Sequence, residues 1–425
     1  MRFAHAFESG GGTERYLDDL DRTLLERNAM TIVRLHLTRG RPGGPIEEAV
    51  GRGRLIRVAL PILPGDTPPR NGQDHSFRFR FKQKVRDWGI YNPLVWRAGG
   101  ARWTAGHRLP PQPGQAIGAG KAAAGVFRTR PVHLVVLHFF GGADADEVIQ
   151  EARMAGLPVA ILNHYSNDRF NHLAIRKHAM LANGVAGVNG LDIPGYVRKR
   201  FVNLSDGIDT AFFHRAQARA VDHPPLQPLI LLPARVVREK GQLDLVRAAA
   251  LLRGSGLEVC LAFAGRVDSS GFVNELRQAI SQAGLDGSVR FLGELGLAEL
   301  RDWYAASAVV ALPTYHHEGL PRVVIEALAM SVPVVAYASG GVPDAVVSGC
   351  TGHLLPRGDV AGLARRLGEL LSSPSLRSSM GMNGRQMAET RFSLAALAAR
   401  HERFYAQLVA PGRTAARRAL SAPVD

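Results

Sequence analysis

From about residue 228 onward, short apolar runs alternate with longer stretches in which apolar residues recur three and four positions apart. The runs at 229–233, 258–264, 289–292, 308–312, 332–336 and 353–355 read as strands, and 240–252, 272–283, 297–306 and 321–330 as the helices between them. A dense apolar run suits a strand covered on both faces, whereas a period of about 3.6 residues lays one apolar stripe along a helix. Such alternation is the signature of β-α-β units around a parallel sheet. The first half repeats it: a strand at 2–6 runs into a glycine turn and a helix over 13–27, and runs at 132–138, 158–162 and 185–188 alternate with helices. The pattern predicts an α/β protein of two Rossmann-like lobes. The first spans 1–213 and the second 228–392, joined by a linker at 214–227 that carries Pro224-Pro225, with a final helix and tail over 393–425.

Between 39 and 130 the pattern breaks into glycine, proline and three of the four tryptophans, which reads as an insertion in the first lobe. This stretch holds 17 Lys or Arg against 5 Asp or Glu, so it carries +12 of the chain's net +15. Phe77-Arg78-Phe79-Arg80-Phe81-Lys82 alternates aromatic and basic residues at strand period, and Trp88, Tyr91, Trp96 and Trp103 follow. One face of such a segment can pack on the lobe while the other meets an anionic membrane or a lipid-phosphate acceptor. The same alternation also describes an amphipathic strand with a solvated basic face. The rest of the chain is nearly neutral and has no zinc spacing or nucleic-acid motif, which argues against a nucleic-acid-binding protein.

Composition sets outer bounds. With 46% hydrophobic and 21% charged residues, the 425-residue chain can bury two large cores and is not disordered wholesale. Cys260 and Cys350 have no disulfide-framework spacing, and the N-terminus reaches Glu8 too soon for a signal peptide. No apolar run approaches the roughly 18 residues needed to span a bilayer. These features lead to the expectation of a cytoplasmic protein, with the basic insertion allowing peripheral attachment to the inner face of the cell membrane.

The turn after the 308–312 strand carries the most specific chemistry. In an open parallel sheet, ligands bind beyond the carboxyl ends of the strands, where helix N-termini present unpaired amides and a partial positive charge. Here the strand leads through Thr314-Tyr315-His316-His317-Glu318-Gly319-Leu320 to Pro321, placed at the first helical position, where a missing amide hydrogen costs nothing. Gly319 lets the backbone approach an anion, and the Gly319 and Leu320 amides can donate to it. Glu318 in the loop and Glu326 on the helix would accept hydrogen bonds from hydroxyls flanking a diphosphate, which describes a nucleotide-sugar. In the second lobe's first strand-to-helix turn, Arg235 and Lys240 can neutralise charge growing on a departing nucleoside diphosphate. Either pair, standing alone, is also compatible with solvated helix charges or a helix-start salt bridge.

Together these residues resemble a known family. Arg235 with Lys240-Gly241, Glu318-Gly319-Leu320 with Glu326, and Pro333-Val334-Val335-Ala336 leading to Gly340-Gly341-Val342-Pro343-Asp344 look like the retaining glycosyltransferase family 4, of GT-B fold, in order and in spacing. Gly11-Gly12-Thr13-Glu14-Arg15 resembles the family's glycine-rich first loop, and Asp206-Gly207-Ile208-Asp209 with Phe213 resembles its lobe junction. The resemblance covers nearly all of 228–409 and parts of 1–213, but little of 39–130. It implies two Rossmann-like lobes with parallel sheets facing a central cleft, and a last helix that crosses back to the first lobe. It further implies a nucleotide-sugar donor on the second lobe, an acceptor on the first, and transfer in the cleft with retention. Carried over by position, Arg235 and Lys240 would hold the diphosphate, Gly319, Leu320 and Pro321 would frame it, and Glu318 and Glu326 would hold sugar and ribose hydroxyls. Gly11 and Gly12 would close over the phosphate, Gly265 would line the donor site, and His164 resembles the family's histidine near the transferred sugar. Ala264-Gly265-Arg266-Val267-Asp268 is poorer in glycine than usual, and Asp206 stands where asparagine is common.

The implied activity is hexosyl or N-acetylhexosaminyl transfer from a uridine, guanosine or adenosine diphosphate sugar to a glycan, lipid-linked or small-molecule acceptor, as in polysaccharide or glycolipid synthesis. Same-face attack as the diphosphate departs fits better than double displacement, because Glu318 reads as a hydroxyl acceptor. Asp144-Ala145-Asp146 has a metal-site spacing and His316-His317-Glu318 offers metal-ligand types close together, but the former opens a helix and fits capping and dipole roles, and transfer without a metal or cofactor is expected. An epimerase or hydrolase on the same fold is the rival enzyme. A phosphorylase would need a cofactor lysine, and none follows Lys240.

Overall fold

The computed structural model describes residues 2–4, 12–29, 31–39, 46–62, 119–138, 143–164, 173–222, 224–268 and 270–410. Within these, two parallel sheets form two lobes. The first sheet contains β1 (Arg2–Ala4), β2 (Thr31–Arg39), β3 (Ile46–Val50), β4 (Gly53–Ile62), β5 (Val135–His138), β6 (Val159–Asn163), β7 (Gly184–Gly187) and β8 (Phe201–Asn203), in the order β3-β4-β2-β1-β5-β6-β7-β8. Only the β3–β4 hairpin is antiparallel. The second contains β9 (Leu229–Leu232), β10 (Cys260–Ala264), β11 (Val289–Gly293), β12 (Val309–Leu312), β13 (Val334–Tyr337) and β14 (Gly352–Leu355), ordered β11-β10-β9-β12-β13-β14 and parallel throughout.

That second order is the doubly wound one, and it reverses between β9 and β12. The dense apolar strands explain why helices cover both faces. Successive residues point to opposite sides of a strand. Leu229 and Leu231 join one core together with Val310 and Leu312, whereas Ile230 and Leu232 join the opposite core together with Val309 and Ala311. The first lobe does the same, with Val135 and Leu137 in one core and Val136 in the other.

Two differences from the sequence pattern have local causes. The helix expected at 240–252 begins at Gln242 and runs to Gly254, after a 3-10 turn over Arg238–Lys240. Gly241 divides them in a left-handed conformation with φ +77°, where a Cβ would lie 2.0 Å from the Pro313 carbonyl oxygen. The stretch 39–130 also contributes regular structure to the first lobe. β4 lies parallel to β2 from Thr31↔Arg54 to Arg39↔Ile62, with Leu55 and Ile56 buried, and the helix Ala119–Thr129 packs on Ala143–Met154. The aromatic and basic segment at 77–103 lies outside the described residues.

Helix Leu394–Val409 returns to the first lobe. Its Leu397, Ala398, Phe404 and Leu408 lie in the same core as Leu20 and Leu24 of helix Gly12–Arg27. Glu402 accepts from Arg27 at 3.0 Å and from Asn28 at 2.8 Å on the adjoining surface. Among the described residues, no helix is long and apolar enough to cross a membrane.

Candidate functional site

The strand order reverses between β9 and β12, the place at which a doubly wound sheet binds ligands beyond its strands' carboxyl ends, and the two loops that leave these strands are stitched together. The Thr314 hydroxyl and the Tyr315 amide both donate to the Glu239 carbonyl, at 3.1 and 2.8 Å. The Tyr315 and Tyr337 hydroxyls donate to Asp244 at 2.6 and 2.9 Å, which ties the start of helix Gln242–Gly254 to the β12 loop and to β13. Burial and the Asp244 carboxylate push the Tyr315 phenol up to about 12, so the hydroxyl keeps its proton and remains a donor. The stitching brings the Lys240 ammonium onto the Glu318 carboxylate. Both side chains are largely covered, at 11% and 23% exposure. A cation and a carboxylate therefore sit side by side at the switch point.

The other site residues have different surroundings. Arg235 is half-exposed and pairs with Asp268 at 2.5 Å, which also binds Arg266 at 2.7 Å. Gly265 follows β10 and packs on the Ala234 backbone beside Arg235. Glu326 is 1% exposed and accepts the Tyr304 hydroxyl at 3.0 Å, so it lies beneath the helix start rather than on its surface. Pro321 is the cap of helix Arg322–Ala329 and not its first helical residue; its ψ of 113° keeps it extended. Gly12 is the first residue of helix Gly12–Arg27, and Gly11 lies outside the described residues. Asp146 binds His178 at 2.7 Å and Lys177 at 2.9 Å; burial alone would make its carboxyl a weaker acid, but these two partners prevail and hold it below the usual carboxylate range.

The first lobe closes directly on the β12 loop. A Cβ on Gly319 would stand 2.2 Å from the His164 carbonyl oxygen, so only glycine fits this approach. His164 follows β6, and its Nε2 lies 2.9 Å from Nδ1 of buried His138 at the end of β5, with the rings stacked. Asn189 donates to the Gly319 carbonyl at 2.6 Å. Asp344, near the β13 end, accepts from the Gly190 amide at 2.6 Å and from Asn203 at 3.1 Å. Arg322, first in its helix, donates to Asp19 at 3.0 Å and to Asp206 at 3.2 Å, and all three come from different elements. Burial pushes the Asp206 carboxyl up to about 6, more than the Arg322 charge pulls it down.

Sequence reasoning assigned no role to His138, Asn189, Arg322 or Asp344. Asp344 stood inside the Gly340–Asp344 motif, but the others carry no local signal because each partner comes from a distant segment.

Comparison with known proteins agrees with this architecture. Residues 214–387 match the model of the family "Glycosyl transferases group 1". A GDP-mannose-dependent alpha-(1-6)-phosphatidylinositol monomannoside mannosyltransferase of Mycolicibacterium smegmatis is 32% identical over 214 residues, which are 45% of this chain and 55% of that protein. A D-inositol 3-phosphate glycosyltransferase of Streptomyces scabiei is 34% identical over 183 residues, 41% of each. The chain thus spans about half the length of these curated relatives, or less. A glycosyltransferase from Rickettsia africae superposes with a TM-score of 0.68 at 16% identity, over 96% of this chain and 98% of that one. Anabaena HepE in complex with UDP superposes with a TM-score of 0.65 at 17% identity, over 96% and 99%. The chain has the GT-B fold, and its second lobe is similar to the group 1 glycosyl transferases.

Proposed function

We propose that this protein is a retaining, metal-independent glycosyltransferase that moves a hexosyl or N-acetylhexosaminyl group from a nucleoside-diphosphate sugar to a glycan, lipid-linked or small-molecule acceptor. The observation that carries the reading is the Lys240–Glu318 pair at the switch point, in the loop that carries the Gly319 and Leu320 amides. A diphosphate entering there would draw the ammonium away from Glu318, which frees the carboxylate for a sugar hydroxyl. Arg235 would turn from Asp268 to share the phosphate charge. The names of the relatives support a sugar-nucleotide donor and an acceptor with hydroxyl and phosphate groups.

Retention follows from same-face attack. The acceptor oxygen bonds to the anomeric carbon on the face that the diphosphate leaves, and a phosphate oxygen takes the acceptor's proton. Electrostatic stabilisation of the departing charge by Arg235 and Lys240 is the main contribution of the chain. Contact between the lobes at Gly319 would exclude water from the reacting sugar.

Thermal-shift screening of the whole chain against uridine, guanosine and adenosine diphosphate sugars, followed by transfer assays with the stabilising donor, tests the reading. Arg235→Ala is expected to lower kcat/KM on the order of 100-fold, the loss typical of a charge-stabilising donor. Transfer is expected to persist in excess chelator. No stabilisation by any of these donors, or full turnover in Arg235→Ala, would overturn it.

A further inference from the structure

The β12 loop carries two consecutive peptide groups, Glu318–Gly319 and Gly319–Leu320, and the oxygen of each is held. The Gly341 amide donates to the Glu318 carbonyl at 2.9 Å, and the Asn189 side chain donates to the Gly319 carbonyl at 2.6 Å. A trans peptide is planar with its C=O and N–H directed oppositely, so a bond on the oxygen sets the direction of the amide in the same plane. Gly341 therefore aims the Gly319 N–H, and Asn189 aims the Leu320 N–H. Among the described residues, neither of these amides donates to a protein acceptor, although both precede the start of helix Arg322–Ala329.

The two holders are not alike. Gly341 belongs to the second lobe and is part of the same unit as the loop, but Asn189 follows β7 in the first lobe. Asn189 is 1% exposed, and its own Oδ1 accepts the Leu191 amide at 3.1 Å, which fixes which end of the side chain faces Gly319. Its amide therefore arrives oriented. An unheld Gly319–Leu320 peptide could rotate, because glycine restricts its backbone least.

From this geometry we infer that Asn189 is a positioning residue. It orients the Leu320 amide toward the diphosphate from across the cleft, so the anion site is complete only while the lobes are together. The inference rests on the nucleotide-sugar reading above. It makes the first lobe, expected to hold the acceptor, a determinant of donor affinity.

The test uses the whole chain, with uridine, guanosine and adenosine diphosphates as probes and the matching nucleosides as references. Asn189→Asp keeps the shape but puts an acceptor against the Gly319 oxygen, and Asn189→Ala removes the contact. Both are expected to bind the preferred diphosphate about tenfold more weakly, the equivalent of weakening one charge-assisted hydrogen bond. Nucleoside affinity should stay unchanged, and the donor KM should rise more than kcat falls. If Asn189→Ala does not fold, the isosteric Asn189→Asp decides. Diphosphate affinity equal to that of the native protein, or an equal loss for diphosphate and nucleoside, would overturn the assignment. Failure of the native protein to bind any of the three diphosphates would instead remove the donor reading, and this inference with it.

Discussion

Arg322 is a single buried cation facing three carboxylates, because Asp19, Asp206 and Glu326 all act on its charge. One guanidinium cannot satisfy three anions out of water, and burial of Asp206, the more deeply covered of the two carboxylates it binds, favours the protonated form of that group. With its folded value at about 6 and an ordinary value of 3.8, Asp206 contributes stability that is fully present below about 3.8 and is lost as pH rises through about 6. Asp206→Asn should remove that dependence. Relative to the native chain, the variant is expected to gain on the order of 2 kcal/mol between pH 4 and pH 7, read as the difference in denaturant midpoint. A difference that stays flat with pH would show that Asp206 remains ionised throughout. The residues of this site divide by legibility. Arg235, Lys240, Glu318 and Gly319 could be read because each lies a few residues beyond a strand, where chain order alone fixes the neighbourhood. Asn189, Asp344 and Arg322 bond to groups 130, 154 and 303 positions away, and no short pattern carries such a pairing.

Elements were legible where burial is symmetrical. β9, β12 and β13 are buried at every position, and their apolar runs ended within two residues of the observed bounds. β3 and β4 were missed because charged residues and glycine interrupt the apolar positions, as Glu47-Glu48 does in β3 and Gly53-Arg54-Leu55-Ile56-Arg57 does in β4, while pairing of β4 with β2 and of β3 with β4 supplies the order that the pattern lacked. The last helix shows the reverse case. Its apolar stripe reads plainly in Leu394-Ala395-Ala396-Leu397-Ala398, but which lobe it covers depends on the chain crossing over at Phe392, whose carbonyl accepts the Ile208 amide at 2.8 Å. Phe404 is 3% exposed in the first lobe's core and packs under Gly184, where a Cβ would meet its ring at 2.9 Å. Phe404→Ala should cost about 3–5 kcal/mol of stability, the usual range for removing a buried aromatic ring. Because the ring belongs to the first lobe, amide exchange is expected to rise at β6 and β7 and stay unchanged at β9 and β12. Equal exchange in both lobes would make the helix a support of the whole chain rather than of one lobe.

At the scale of the whole molecule, polar links join the two lobes beside the site. Asn189 with Gly319, Gly190 and Asn203 with Asp344, and Asp19 and Asp206 with Arg322 all meet the ends of second-lobe elements that frame the crevice. Polar contacts of this kind separate at modest cost because water can replace each bond, whereas a broad apolar interface would hold the lobes fixed. Asp344 is the point of greatest leverage, since one of its oxygens accepts both first-lobe donors. Asp344→Ala removes both bonds without touching Lys240, Glu318 or the Gly319 and Leu320 amides. The expected result is a larger radius of gyration in solution scattering without nucleotide, and a return to the native value when saturating uridine, guanosine or adenosine diphosphate is added. A ligand that contacts both lobes favours the closed arrangement by its difference in affinity for the two, so its binding should also be weaker by the cost of closing. If the radius is unchanged without nucleotide, the remaining links at Gly319 and Arg322, with the helix Leu394–Val409, hold the lobes together, and Asp344 does not govern their closure.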